Sequence, residues 1–133
     1  MSAVTLSANS SVDLSTAMYA MQLSGKVAAE NIDAGMPVCL KSDGKLYKYA
    51  AGQFFIGIAA RTVRTGQALT VFGTGARFHV SDAGALTMGA LYYVKDAGVI
   101  ETAASASDTV GAFIAVSAKD LQVIRVGNLI DAT

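Results

Sequence analysis

The stretch Leu86-Thr87-Met88-Gly89-Ala90-Leu91-Tyr92-Tyr93-Val94-Lys95-Asp96-Ala97-Gly98-Val99-Ile100 decides how this chain is read, because a weaker copy of it lies 54 residues upstream. That copy is Ile32-Asp33-Ala34-Gly35-Met36-Pro37-Val38-Cys39-Leu40-Lys41-Ser42-Asp43-Gly44-Lys45-Leu46, and it aligns without a gap. Under the same shift Gly35 meets Gly89, Gly44 meets Gly98, Gly57 meets Gly111 and Gly73 meets Gly127. Glycine averages about 7% of residues, so four coincidences in one register are hard to obtain by chance. Glycine recurs where the backbone needs a positive φ or has no room for a Cβ. The eight positions are therefore read as structural turns of one framework used twice, with halves at about residues 32–73 and 86–127. This is a statement about architecture and carries no chemistry.

Working outward from the repeat, short runs rich in Val, Ile, Leu, Tyr and Phe alternate with Gly-Asp-Ser-Ala turns from Gly25 onward. Such runs, bounded by turns about 8–12 residues apart, predict an all-β sandwich or barrel with low helix content. The expected strands are Lys26 to Ala29, Met36 to Lys41, Lys45 to Tyr49, Phe54 to Ala60, Ala68 to Phe72, Ala76 to Val80, Ala90 to Lys95, Val99 to Thr102, Val110 to Ser117 and Leu121 to Val126. Phe54 to Ala60 and Val110 to Ser117 are almost wholly apolar and read as central or doubly covered strands. In Ala76-Arg77-Phe78-His79-Val80, Ala76, Phe78 and Val80 face one way and Arg77 and His79 the other. Ser42-Asp43-Gly44, Ser81-Asp82-Ala83-Gly84 and Lys95-Asp96-Ala97-Gly98 share one turn chemistry, Asp closing a local hydrogen bond and Gly supplying positive φ.

Residues 1–25 differ from the rest, being rich in Ser, Ala and Thr with only Asp13 charged. Such a segment buries little by itself and reads as an extended N-terminal arm ahead of a β domain at 26–133. Ser15 to Leu23 fits either a short helix capped by Ser15 or a first strand, and the extended reading is preferred. The N-terminus lacks the basic and continuous apolar regions of a secretory signal. No stretch approaches the roughly 20 apolar residues of a spanning helix, so no membrane partner is expected.

The chain is 53% apolar and only 15% charged, against about 25% charged in ordinary soluble proteins. So little charge points to a surface partly covered in an assembly. The net charge is zero, which argues against a nucleic-acid binder held by phosphate neutralisation. The single Cys39 lies in an apolar run and reads as a reduced core thiol. A catalytic reading finds no support: His79 is the only histidine, has no partner identifiable from sequence, and is expected at a surface or interface. One His and one Cys do not make a His/Cys zinc site within one chain, and Asp43, Asp82 and Asp96 have turn duties. No catalytic residue, metal or cofactor is expected.

An arm rich in Ser, Thr and Ala, followed by Gly-punctuated strands, Leu86 to Val94 with Asp96-Ala97-Gly98, Thr109-Val110-Gly111 and a closing Leu121-Gln122-Val123, resembles the small capsid decoration, or head-stabilising, proteins of tailed bacteriophages. The resemblance implies a compact β domain on the outside of an assembled shell, a homotrimer, and the major capsid protein as partner. It implies synthesis in the host cytoplasm and a final place on the virion exterior. The family has no catalytic residues to transfer. Its arm, which adds a strand to a neighbouring capsid sheet, is carried over as Val4 to Leu14, with Val4, Thr5, Leu6, Ser7, Val12 and Leu14 as contact residues. The same glycine and tyrosine motif also occurs in phage fibre and tail modules, so the alternative is a head-fibre or tail-associated module that contacts a host surface ligand.

Overall fold

The computed structural model describes residues 3–4, 6, 11–12, 21–82 and 84–130. Among them every regular element is a strand, and none is a helix. The N-terminal residues supply β1 (Ala3–Val4) and β2 (Ser11–Val12). The body follows with β3 (Gln22–Val27), β4 (Pro37–Leu40), β5 (Leu46–Lys48), β6 (Phe55–Ala59), β7 (Ala68–Phe72), β8 (Arg77–His79), β9 (Leu91–Lys95), β10 (Val99–Glu101), β11 (Phe113–Ala115) and β12 (Asp120–Val123). The alternative between helix and strand at Ser15 to Leu23 falls largely outside the described residues; its end, Gln22 and Leu23, belongs to β3.

Two antiparallel sheets result. The first runs β1-β10-β9-β11-β12-β8-β2 and curls into a half-barrel; the second runs β3-β7-β6-β4-β5. Between them lies the main core, to which the first sheet contributes Phe78, Tyr92, Val94, Ile100, Phe113, Ala115, Leu121 and Val123, and the second Cys39, Phe55, Ile58 and Phe72. The opposite face of the second sheet is covered as well. Val38, Leu46, Ala59, Leu69 and Val71 pack with Ala28, Ile32 and Val63, and the loops carrying Ile32 and Val63 are joined by a two-way backbone bridge. Successive residues of the second sheet thus enter different cores, Val38 against Cys39, Ala59 against Ile58, and Val71 against Phe72. This is why β6 reads as a continuous apolar run: a strand buried on both faces has no polar side to show. On β8, by contrast, Phe78 is buried and Arg77 and His79 face outward, half-exposed, as the alternation predicts.

The two sheets contain strands in the same spatial order. β7-β6-β4-β5 in one corresponds to β12-β11-β9-β10 in the other. The hairpin registers also agree under the 54-residue shift, since Cys39 pairs with Tyr47 and Leu40 with Leu46, while Tyr93 pairs with Glu101 and Val94 with Ile100. Beyond the hairpins the spacing changes. Val38 lies opposite Gly57, whereas its counterpart Tyr92 lies opposite Phe113 and not Gly111.

The matched glycines accordingly do different work. Gly35, Gly44, Gly89, Gly98, Gly111 and Gly127 all have positive φ and lie outside the strands. Gly57 instead sits inside β6 with φ 145°, where a Cβ would fall on the carbonyl of Phe72 on neighbouring β7. Gly73 has no positive φ; a Cβ there would run into the methyl end of Met21. Gly57 is thus a close-approach glycine, whereas Gly73 opens the turn between β7 and β8, its carbonyl accepting from the N–H of Ala76 at 3.1 Å.

Candidate functional site

The two N-terminal strands, β1 and β2, occupy the two edges of one sheet. Ala3 and Val4 pair with Glu101 and Ile100 on β10, and Ser11 and Val12 pair with His79 and Phe78 on β8. The side chains of Val4 and Leu6 are half-buried against the main core. Thr5, Ser7 and Leu14 lie outside the described residues. Edge strands present unpaired N–H and C=O groups, and a two-residue addition at each end covers them. The geometry also constrains the sheet. Seven strands laid flat place their outermost members about 29 Å apart, but the seven residue steps from Val4 to Ser11 reach at most about 25 Å. One short connection therefore joins both edges only because the sheet curls.

The seat of β2 adjoins a cluster of charged side chains. Register places Asp120 of β12 directly opposite His79 of β8. Its Oδ2 accepts hydrogen bonds from Nε (3.2 Å) and Nη2 (2.9 Å) of Arg77, and its Oδ1 lies 3.1 Å from His79 Nδ1. The other ring nitrogen, Nε2, lies 2.6 Å from Asp82 Oδ1. An imidazole between two carboxylates donates from both nitrogens only when protonated. The hydrogen bond to Asp82, helped by Asp120 and opposed by partial burial, therefore holds His79 above its ordinary value of 6.5. Both ring nitrogens are engaged, which leaves neither for a substrate in this arrangement. The cluster ties β8, β12 and the turn at Asp82 together, and among the described residues no group of His, Cys, Asp or Glu is arranged to hold a metal ion.

The cluster carries a pH prediction. A group with a raised folded-state value adds stability that is complete below its unfolded value, near pH 6.5, and is lost as pH rises through the folded value. Between about pH 6 and pH 8.5 the urea midpoint of the native protein is expected to fall more than that of His79→Gln. Equal falls in the two proteins would show that His79 contributes no pH dependence.

A second polar site is internal. Asp108 is wholly buried. Its Oδ2 accepts from the backbone N–H of Val94 at 2.8 Å, and its Oδ1 from those of Val110 at 3.1 Å and Gly111 at 2.7 Å. Ser105 completes the lock, its hydroxyl donating to the Val94 carbonyl at 2.9 Å and accepting from the N–H of Asp108. The loop ahead of β11 is thereby clamped to β9. Glu101, on β10 beside the seat of β1, is also buried; Lys95 Nζ approaches its Oε1 at 3.3 Å, and its Oε2 has no hydrogen-bond partner among the described residues.

The expected turn chemistry is visible at Asp43, whose Oδ1 accepts from the N–H of Lys45, and Asp96 receives the N–H of Ala51 across the chain. Cys39 is a buried free thiol, pushed above its ordinary value by that burial. Of the adjacent tyrosines, Tyr92 is in the core with its hydroxyl accepting from Thr87 N–H, and Tyr93 is half-exposed on the other face. No helix among the described residues is long and apolar enough to cross a membrane. The sequence matches no protein-family profile, and no curated protein is found as a relative.

Proposed function

We propose that this chain is a structural virion protein that binds the outer surface of an assembled phage capsid and stabilises the shell. In this reading the arm pairs with capsid subunits, and the β body acts as a homotrimer. The observation that carries it is that both described pieces of the arm are edge strands, Ala3–Val4 on β10 and Ser11–Val12 on β8. A segment that adds strands to edges recognises a sheet through main-chain hydrogen bonds, with alternate side chains such as Val4 and Leu6 supplying apolar contacts. Three arms on one trimer bind with avidity, and binding only the assembled shell stabilises it by mass action without chemistry. The matching strand orders and hairpin registers support reading the body as two copies of one framework, which places two similar sheets in one small domain. The alternative, a head-fibre or tail-associated module contacting a host ligand, draws on the exposed Phe54 and Met88.

Sedimentation tests the proposal. The full chain should migrate with DNA-filled particles on a density gradient, while a chain lacking residues 1–14 should remain at the top with its β circular dichroism retained. A truncated chain that bound particles as well as the full one would remove the arm from the account.

A further inference from the structure

We propose that residues 3–12 exchange between copies of this chain, so that β1 and β2 of one copy seat on β10 and β8 of another. The surface is the pair of edges that the arm covers in its own chain. These edges are complementary to one identified segment, because that segment already fills them in register, Ala3 against Glu101 and Ser11 against His79. A second copy offers the same segment and the same two edges. Exchange therefore replaces each contact by an identical one, the condition under which swapping costs least.

The seats are also easy to vacate. Each strand is two residues long, and the apolar anchors described along the segment are the half-buried Val4 and Leu6. A segment with so few buried contacts opens at far lower cost than the core strands. Vacated edges do not stay empty cheaply. On one side stands β10, with Ile100 in the core and Glu101 buried; on the other stands β8, next to the ion cluster of Arg77, His79, Asp82 and Asp120. Both need a strand of the same register to cover their main-chain groups. Eight residues separate Val12 from Met21, and at full extension these nine steps span about 30 Å, enough to reach a touching neighbour. Concentration decides the balance. A tethered arm competes at an effective concentration in the millimolar range, so exchange prevails where copies are crowded and the chain closes on itself where they are dilute. Passing arms head to tail gives a ring of copies where the rotation between neighbours closes and an open filament where it does not.

The exchange involves only this chain and requires no shell, so it stands or falls apart from the capsid reading. It is tested by mixing a uniformly nitrogen-15-labelled native chain with an unlabelled chain bearing a nitroxide on Ser11→Cys, at high protein concentration. Ser11 is exposed and Cys39 is buried, so labelling falls on the introduced thiol. Exchange predicts that the amide signals of Arg77, Phe78 and His79 in the labelled chain lose most of their intensity, and regain it on reduction of the nitroxide. A control chain carrying both labels should show the same loss at any concentration. Unchanged intensities at β8 in the mixture would overturn the proposal, whether or not the control shows the loss.

Discussion

Replacing Asp108 with alanine is expected to destabilise the fold by on the order of 4 kcal/mol, because removing a buried acceptor leaves its donors unsatisfied at about 1–3 kcal/mol each. The donors are the N–H groups of Val94, Val110 and Gly111, and the bonds to Val94 and Gly111 are buried. Water has no ready access to replace them. Asp108→Asn should lie between the native protein and the alanine variant. Its amide oxygen keeps the bonds to Val110 and Gly111, but its NH2 then faces the Val94 N–H, donor against donor. Urea unfolding measures both effects as shifts in midpoint at constant slope. An alanine variant within about 1 kcal/mol of native stability would mean that the carboxylate is not what clamps the loop before β11 to β9.

The second large effect is at Phe113. Its ring stacks edge-to-face with Phe55 and Phe78, both at 5.5 Å between centroids, and Tyr49 extends the row through Phe55. Phe113 and Phe78 come from the first sheet and Tyr49 and Phe55 from the second sheet's side of the core, so the row is the seam between the two layers. Phe113→Ala removes the ring that joins Phe55 to Phe78 and is expected to cost about 3–5 kcal/mol through lost burial and the cavity left behind. Phe54 provides the comparison, since it neighbours Phe55 in sequence but is 65% exposed. Phe54→Ala should stay within about 0.5 kcal/mol of native stability. Similar losses at the two positions would contradict the assignment of Phe113 to the seam.

The β architecture was legible because its signals are local. Alternation in Ala76 to Val80 placed Phe78 inward and Arg77 and His79 outward, and the unbroken apolar run at Phe54 to Ala60 marked a strand covered on both faces. Two cores, one on each side of the second sheet, are the physical reason for that run. The turn at Asp108 had a local signal as well, an Asp followed at two and three residues by the N–H groups it caps, but its bond to Val94 spans fourteen residues and has no sequence signature. The partners of His79 were hidden for the same reason. Asp120 lies 41 residues away and arrives opposite His79 only through the register of β8 and β12. Gly57 was read as a turn because its spacing matched Gly111, yet the requirement at Gly57 is the closeness of the Phe72 carbonyl, a contact made by pairing β6 with β7. Residues 1–25 read as an extended arm, but where they pair was not legible, because a stretch rich in Ser, Thr and Ala has no apolar period; the short strands β1 and β2 depend on edges formed by residues about 70 to 100 positions downstream.

The measurement that bears most directly on the proposed function is the number of copies of this chain per particle, obtained by quantitative mass spectrometry of DNA-filled particles banded on a density gradient from a native lysate of the producing cells. A shell-stabilising protein predicts copies comparable in number to the major shell protein. A chain found only in the soluble fraction, with no particles beside it, would contradict that function.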